Sequence, residues 1–579
     1  MSEQPDHENQ KSSKQFIESD AGDGTKREDQ YLHGSRLAAC FVAIFLCMFL
    51  AALDQTIVTT ILTTVGDKFN SFDQVGWLAS GFLMTMAIFI QPFGKLSIIF
   101  GRKYTMMVAI VIFEAGSLMC ALSPNMNVLI GGRVLGGIGA AGIQGLTFVI
   151  ISEVVPIEKR PIGMAVMSCV FALASVLGPL IGGAFTTHVS WRWCFYINLP
   201  IGGIAMTFFI WAFNPPRPKV DMWEEVKKFD YFGTFLLIAG FVVFLLALTF
   251  GGNAYSWHSA PVILCFVLGG LTLVAFTIWN VYFSKNQIFP NEITRVPQII
   301  ASVLTISGSF AFFITSIVYL SIYFQVIHEA TAMASGLHTL PLVISVVVSA
   351  MVSGILIQKF KYVKPWGVAA GIIGPIGCGL LCLLEVDSSF SAQVGLLILA
   401  GVSAGMQMQP SILSGQISAP KTAGSLIMVT SFINFARSMA AAIGCDLGDA
   451  VYTSSLKSLF KKAIEHETNP QILSDLQGVD VQRLVSNNAF VKELSPATQY
   501  FIKSQSMGAI RNVFYMCIGF AAISTIASLF ITNKRLPDAP SGAPKPADKE
   551  KEEEEEVVEK SEDNKEPSDK EEEEEEELE

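Results

Sequence analysis

The chain has 579 residues, 51% of them hydrophobic and only 15% charged, and its charges gather at the two ends and in short loops. A soluble chain of this length would divide into several domains with charged surfaces, so this composition excludes that class and describes a polytopic membrane protein. The net charge of -11 comes from a Glu-rich C-terminus and specifies no partner, and with no basic face and no interleaving of aromatic and basic residues nucleic-acid binding has no support.

Residues 1–36 are polar and mixed in charge, without a cleavable signal peptide, and read as a disordered cytoplasmic tail. A helix needs about 20 apolar residues to span a bilayer. Fourteen runs meet that need, near 37–61, 76–98, 104–122, 127–151, 163–185, 198–214, 231–250, 260–281, 298–325, 337–358, 366–385, 391–412, 424–446 and 510–531. The expected fold class is thus an all-α membrane protein with 14 transmembrane helices. The expected organisation is a six-helix bundle over 37–214, a linker with two additional transmembrane helices over 215–290, and a second six-helix bundle over 291–532. The second bundle carries a long extracytoplasmic loop at 447–509, and residues 533–579 form a disordered acidic tail that either is merely solvated or binds a regulator.

Lys and Arg set the orientation. Arg102 and Lys103, Lys159 and Arg160, Arg217 to Lys228, Lys359 to Lys364, and Lys534 with Arg535 fall in one set of loops, whereas the alternate short loops at 123–125 and 252–255 carry no charge. Both termini are therefore expected in the cytoplasm. A faint repeat supports two related halves: Gly94-Lys95-Leu96 closes the second run, Gly354-Ile355-Leu356 closes the tenth, and a basic turn follows each. The ten cysteines lie in or beside apolar runs with no CxxC or Cys/His pair, so they read as small buried hydrophobes, with no metal site and no disulfide framework.

Ionisable residues inside apolar runs are costly and point to function. Asp54 lies about 27 Å along the first run and Arg133 about six residues into the fourth, which enters from the opposite side, so both sit in the outer half at one level. A carboxylate moving between a guanidinium partner and apolar surroundings binds and releases a proton; a static ion pair is the alternative. Glu114, midway along the third run, and Arg437, midway along the thirteenth with Asn434 on its face, are either pathway or packing residues. Gly178, Pro179, Gly182 and Gly183 in the fifth run suit either a sliding gate or plain close packing. Phe312, Ser316, Tyr319 and Tyr323 share a helical face and either stack on substrate or form an interfacial belt. Gln407, Gln409 and Gln416 either orient a ligand or bond between helices.

Five motifs together resemble the major facilitator superfamily, and within it the fourteen-helix drug:proton antiporters of fungi and bacteria. They are Leu53-Asp54-Gln55-Thr56-Ile57-Val58; Arg133 with Gly136, Gly137, Gly139 and Ala140; Gly178 to Gly183; Trp191 to Pro200; and Tyr319 to Gln325. The resemblance implies the major facilitator fold, two six-helix bundles plus two central helices. It also implies proton coupling through Asp54, Arg133 and Glu114. Substrate contacts would come from Gln55, Tyr319, Tyr323, Asn434, Arg437 and Gln407, and gating from Gly94, Gly101, Arg102, Lys103, Gly178, Pro179, Gly182 and Gly183. One departure stands out: the G-x-x-x-D-R-x-G-R-K loop carries Ile98 and Ile99 in place of its acid and first base, which alters the charge latch and resembles fungal members.

The expected function is a proton-coupled antiporter that exports amphipathic organic compounds, such as drugs or a fungal toxin, by alternating access. Protons, a small-molecule substrate and the lipid bilayer are its partners, and it acts as a monomer in the plasma membrane, the vacuolar membrane being the other candidate. The alternatives are a vacuolar basic amino-acid or siderophore transporter, and a transporter-like nutrient sensor. No cofactor is expected. With no Ser/His/Asp constellation and no phosphate-binding loop, neither enzymatic activity nor direct ATP drive is indicated.

Overall fold

A computed structural model of the chain describes residues 31–536 except 70, 72–73, 157–158, 216–221, 252–254, 467–468 and 477–493. Of the tails expected to be disordered, residues 1–30 and 537–579 lie outside the described residues; at their inner edges the expectation is corrected, because residues 34–36 already belong to the first helix and Leu536 is buried, its amide donating to the Lys361 carbonyl at 2.8 Å. Fourteen long helices follow in order: α1 (Gly34–Ile57), α2 (Trp77–Phe100), α3 (Arg102–Ala121), α4 (Met126–Val154), α5 (Arg160–His188), α6 (Asn198–Ala212), α7 (Tyr231–Phe250), α8 (Ala260–Ile278), α9 (Pro297–Ile322), α10 (Leu340–Phe360), α11 (Lys364–Leu381), α12 (Phe390–Ile417), α13 (Ser425–His466) and α14 (Pro496–Ser528). Among the described residues, 13 helices are long and apolar enough to cross a membrane. The exception is α11, whose hydropathy is diluted by Lys364, two prolines and Gly367, Gly371, Gly374, Gly377 and Gly379. The membrane helices tolerate internal prolines: Pro92, Pro179 and Pro410 lie within unbroken α2, α5 and α12.

Helix α1 packs on α5 and α6, and α2 and α3 each pack on α4. In the second half, α9 packs on α12, α13 and α14, while α12 also covers α10 and α11. The halves meet where α2 crosses α13 and α5 crosses α10, and α7 and α8 pair with each other while α7 touches α2 and α13. The two repeat-related glycines mark equivalent crossings. A β-carbon on Gly94 would lie 2.7 Å from Ser431 Cβ of α13, and one on Gly354 would lie 3.1 Å from the Pro161 carbonyl oxygen of α5.

The segment expected as a loop at 447–509 is largely helical where it is described. Helix α13 runs 42 residues to His466 and α14 already begins at Pro496. At about 1.5 Å per residue, α13 extends roughly 63 Å, about twice the hydrocarbon thickness. Its outer part is amphipathic rather than uniformly apolar, so the span pattern ends while the helical period continues. Tyr452, Leu456 and Phe460 stay buried at four-residue spacing, and Phe460 meets Phe501 of α14 edge to face at 6.0 Å. Residues 477–493 lie outside the described residues.

Candidate transport site

Helix α1 carries Asp54 one turn before its end, and α4 carries Arg133 two turns after its start; both side chains are 2% exposed. Arg133 Nη1 donates to Asp54 Oδ2, Nε donates to the Leu78 carbonyl at 2.8 Å, and Nη2 reaches the Asp54 carbonyl at 3.4 Å. The Phe82 ring covers the guanidinium at 4.2 Å. Asn198, at the start of α6, donates from Nδ2 to Asp54 Oδ1 at 3.3 Å and to Ser117 Oγ at 3.0 Å. Each carboxylate oxygen of Asp54 therefore has its own donor. Glu114 stands one turn from Ser117 on α3, with both carboxylate oxygens buried against Gly202 of α6 and without a hydrogen-bond partner.

The glycines of α5 bring that helix onto α1 immediately after Asp54. A β-carbon on Gly178 would lie 2.8 Å from Thr56 Cβ, and one on Gly182 would lie 2.8 Å from Ile57 Cγ1. Thr56 Oγ1 donates across the contact to the Ala174 carbonyl at 3.2 Å. Pro179 faces Gly336, in the short helix Ala332–His338 that precedes α10. Gly183 differs from these: a β-carbon on it would meet nothing within 4 Å.

At the turn between α2 and α3, Gly101 has φ +81°, a left-handed conformation that suits glycine. It lets Arg102 turn inward, where Nε bonds both Glu153 oxygens at 3.0 Å and Nη2 bonds Oε1 at 2.8 Å. Lys103 donates to the Ile210 carbonyl at 2.7 Å and to Asn214 Oδ1. With Ile98 and Ile99 in place of the usual charged pair, Lys95 instead binds the strap between α8 and α9, donating to Asn286 Oδ1 at 2.7 Å and the Gln287 carbonyl at 3.1 Å.

A second centre lies where the halves face each other. Arg437 of α13 sits between the rings of Phe148 (α4, 4.9 Å) and Phe310 (α9, 4.8 Å). A cavity of about 30 Å³ opens beside it, walled by Met48, Met167, Phe171, Phe313 and Met408 among others. Gln144 of α4 donates to Ser438 Oγ at 3.4 Å, a further link between halves.

The other expected substrate residues do not join this cavity. Gln55 bonds Met86 Sδ at 3.4 Å. Asn434 Nδ2 donates back to the Thr430 carbonyl at 2.9 Å, and Gln407 is buried near Gly367 with both amide atoms unpartnered. Tyr319 packs on Tyr452 at 5.5 Å, and Tyr323 donates to the Glu385 carbonyl at 2.8 Å and shares a 3.0 Å hydrogen bond with His328. Both tyrosines are 2% exposed or less, and neither lines the cavity beside Arg437. Burial, reinforced by His338 and Lys503, pushes the His328 imidazole below its usual range.

Sequence reasoning passed over Ser117, Asn198, Glu153, Phe148 and Phe310 as site residues. Asn198 carried a signal, a lone amide opening an apolar run. Glu153 fell just beyond the fourth run, and the two phenylalanines are indistinguishable among 42.

Comparison with known proteins agrees with this architecture. The family model of the Major Facilitator Superfamily matches residues 44–445. The vacuolar basic amino acid transporter 5 of Saccharomyces cerevisiae is 36% identical, covering 91% of this chain and 96% of its own. Azole resistance protein 1 of the same yeast is 34% identical, covering 91% and 93%. The rubrofusarin-specific efflux pump aurT of Gibberella zeae is 32% identical, covering 88% and 92%. Among solved structures, the human organic anion transporter MFSD10 superposes with a TM-score of 0.53 at 13% identity, covering 84% of this chain and 100% of that one, a likeness of fold. The chain is an integral membrane transporter and belongs to the major facilitator superfamily.

Proposed function

We infer that this transporter is a proton-coupled antiporter that exports amphipathic organic compounds by alternating access. The carrying observation is the buried Asp54, held by Arg133 and Asn198 beside the seam where Gly178 and Gly182 press α5 onto α1. An ionisable side chain buried in a membrane helix is costly and marks a functional position, and a carboxylate is the group there that can carry a proton. Relatives named for azole resistance and efflux support export. The distribution of Lys and Arg supports cytoplasmic termini, and a plasma-membrane monomer is the simplest arrangement for export. The test is accumulation of a fluorescent drug in proteoliposomes under an imposed pH gradient. Collapse of the gradient by a protonophore should abolish accumulation, and persistence of accumulation would contradict coupling.

The relative named as a vacuolar basic amino acid transporter favours a second reading, uptake of cationic amino acids into a vacuole. Arginine uptake by isolated vacuoles, lost on deletion, would select it.

A further inference from the structure

Among the described residues four arginines are buried, Arg102, Arg133, Arg160 and Arg437, and Arg102 pairs with Glu153. Arg133 pairs with Asp54. Arg437, in contrast, forms no ion pair and donates no hydrogen bond among the described residues, and its Nε is buried without a partner. Among the described residues two π faces meet its guanidinium, Phe148 from the first half and Phe310 from the second. Such contacts offset part of the desolvation of a cation and leave the in-plane N–H donors unused. The neighbouring wall is apolar and adaptable, with the thioethers of Met48, Met167 and Met408, and it contains no carboxylate. A cavity of about 30 Å³ has room for a water or so and none for an organic substrate. Because the two rings belong to opposite halves, parting the halves withdraws Phe148 and bares one face of the guanidinium together with its donors.

We propose that this centre selects flat aromatic compounds bearing an acidic group, a carboxylate or an ionised phenol, which take the place of Phe148 on Arg437. The substrate ring stacks on the guanidinium face opposite Phe310, and the acidic oxygen accepts from the unused N–H groups in the plane. A cationic compound would meet a buried positive charge with no carboxylate to offset it. This inference names the substrate class of the exporter and rests on that reading only in assuming that the central cavity receives substrate.

The test uses purified full-length protein in detergent and three matched probes: 2-naphthoate, neutral 2-naphthamide and cationic 2-naphthylmethylammonium. Binding is read as a concentration-dependent rise in melting temperature. Naphthoate should bind at least tenfold more tightly than the amide, and the ammonium should bind least. Arg437→Gln should reduce naphthoate to the affinity of the amide, while Arg437→Lys keeps a preference for the anion. Should Arg437→Gln fail to fold, Phe148→Ala decides: removing the competing ring should tighten naphthoate binding severalfold, an effect that structural damage does not produce. Binding of the ammonium as tight as that of naphthoate, absence of naphthoate binding at 100-fold over protein, or unchanged affinity in either Arg437→Gln or Phe148→Ala would overturn the proposal. Naphthoate binding without proton-driven flux would refute antiport and leave the selectivity intact, whereas proton-driven flux of a cationic dye without naphthoate binding would do the reverse.

Discussion

Gly182 of α5 lies so close to Ile57 of α1 that a β-carbon on it would come within 2.8 Å of Ile57 Cγ1, while its neighbour Gly183 meets nothing within 4 Å. Leucine at 182 must therefore force the two helices apart, and leucine at 183 has room. Gly182→Leu is expected to insert normally yet lose transport at least tenfold, with Gly183→Leu within about twofold of wild type. Cell-surface labelling paired with export rate checks this. Equal activity of the two variants would show that the seam does not move during transport.

Helix positions were legible in the sequence because crossing a bilayer demands a long apolar run and little else. That rule failed where its assumption did. The far half of α13 is amphipathic, so a helix reaching His466 looked like a loop beginning at 447. Asp54 and Arg133 could be paired because two charges in apolar runs at the same depth have few other partners. Tyr319 and Tyr323 show the limit of periodicity: it reports which residues share a face, and only packing reveals that this face meets Tyr452 and Glu385. Choosing Phe148 and Phe310 among 42 phenylalanines likewise required the crossing of the halves.

Arg133 supplies the nearest positive charge to Asp54. Without it the buried carboxylate loses its ion-pair partner, and a buried charge left alone is costly. Arg133→Ala should lower export several-fold in proteoliposomes, while Arg133→Lys, which keeps a cation beside Asp54, should retain more of it. Export at the wild-type rate by Arg133→Ala would show that the pair is dispensable for transport.

Asn198 acts on the same carboxylate through Oδ1. Asn198→Leu removes that donor and should lower export, but by less than Arg133→Ala does, because a neutral amide contributes less than a guanidinium. Ser117→Ala removes only a second acceptor of Asn198 and should lower it least. A larger loss in Asn198→Leu than in Arg133→Ala would contradict this order.

Arg102 and Glu153 form a buried, multiply bonded pair at the turn between α2 and α3. Removing one partner strands the other charge, at a cost of about 3–5 kcal/mol. Glu153→Gln should lower the melting temperature of the purified transporter distinctly, and the exchange Arg102→Glu with Glu153→Arg should recover part of the loss. A melting temperature equal to wild type for Glu153→Gln would mean that the pair contributes little.

Proton coupling through Asp54 is tested most directly by measuring drug accumulation against its gradient in proteoliposomes with an imposed pH difference, comparing wild type with Asp54→Asn. Asparagine preserves shape and polarity but cannot titrate. Wild type should accumulate the drug and Asp54→Asn should not, while downhill exchange of labelled for unlabelled drug persists in the variant. Undiminished uphill accumulation by Asp54→Asn would contradict the assignment and move attention to Glu114, whose unpartnered carboxylate lies one turn from Ser117.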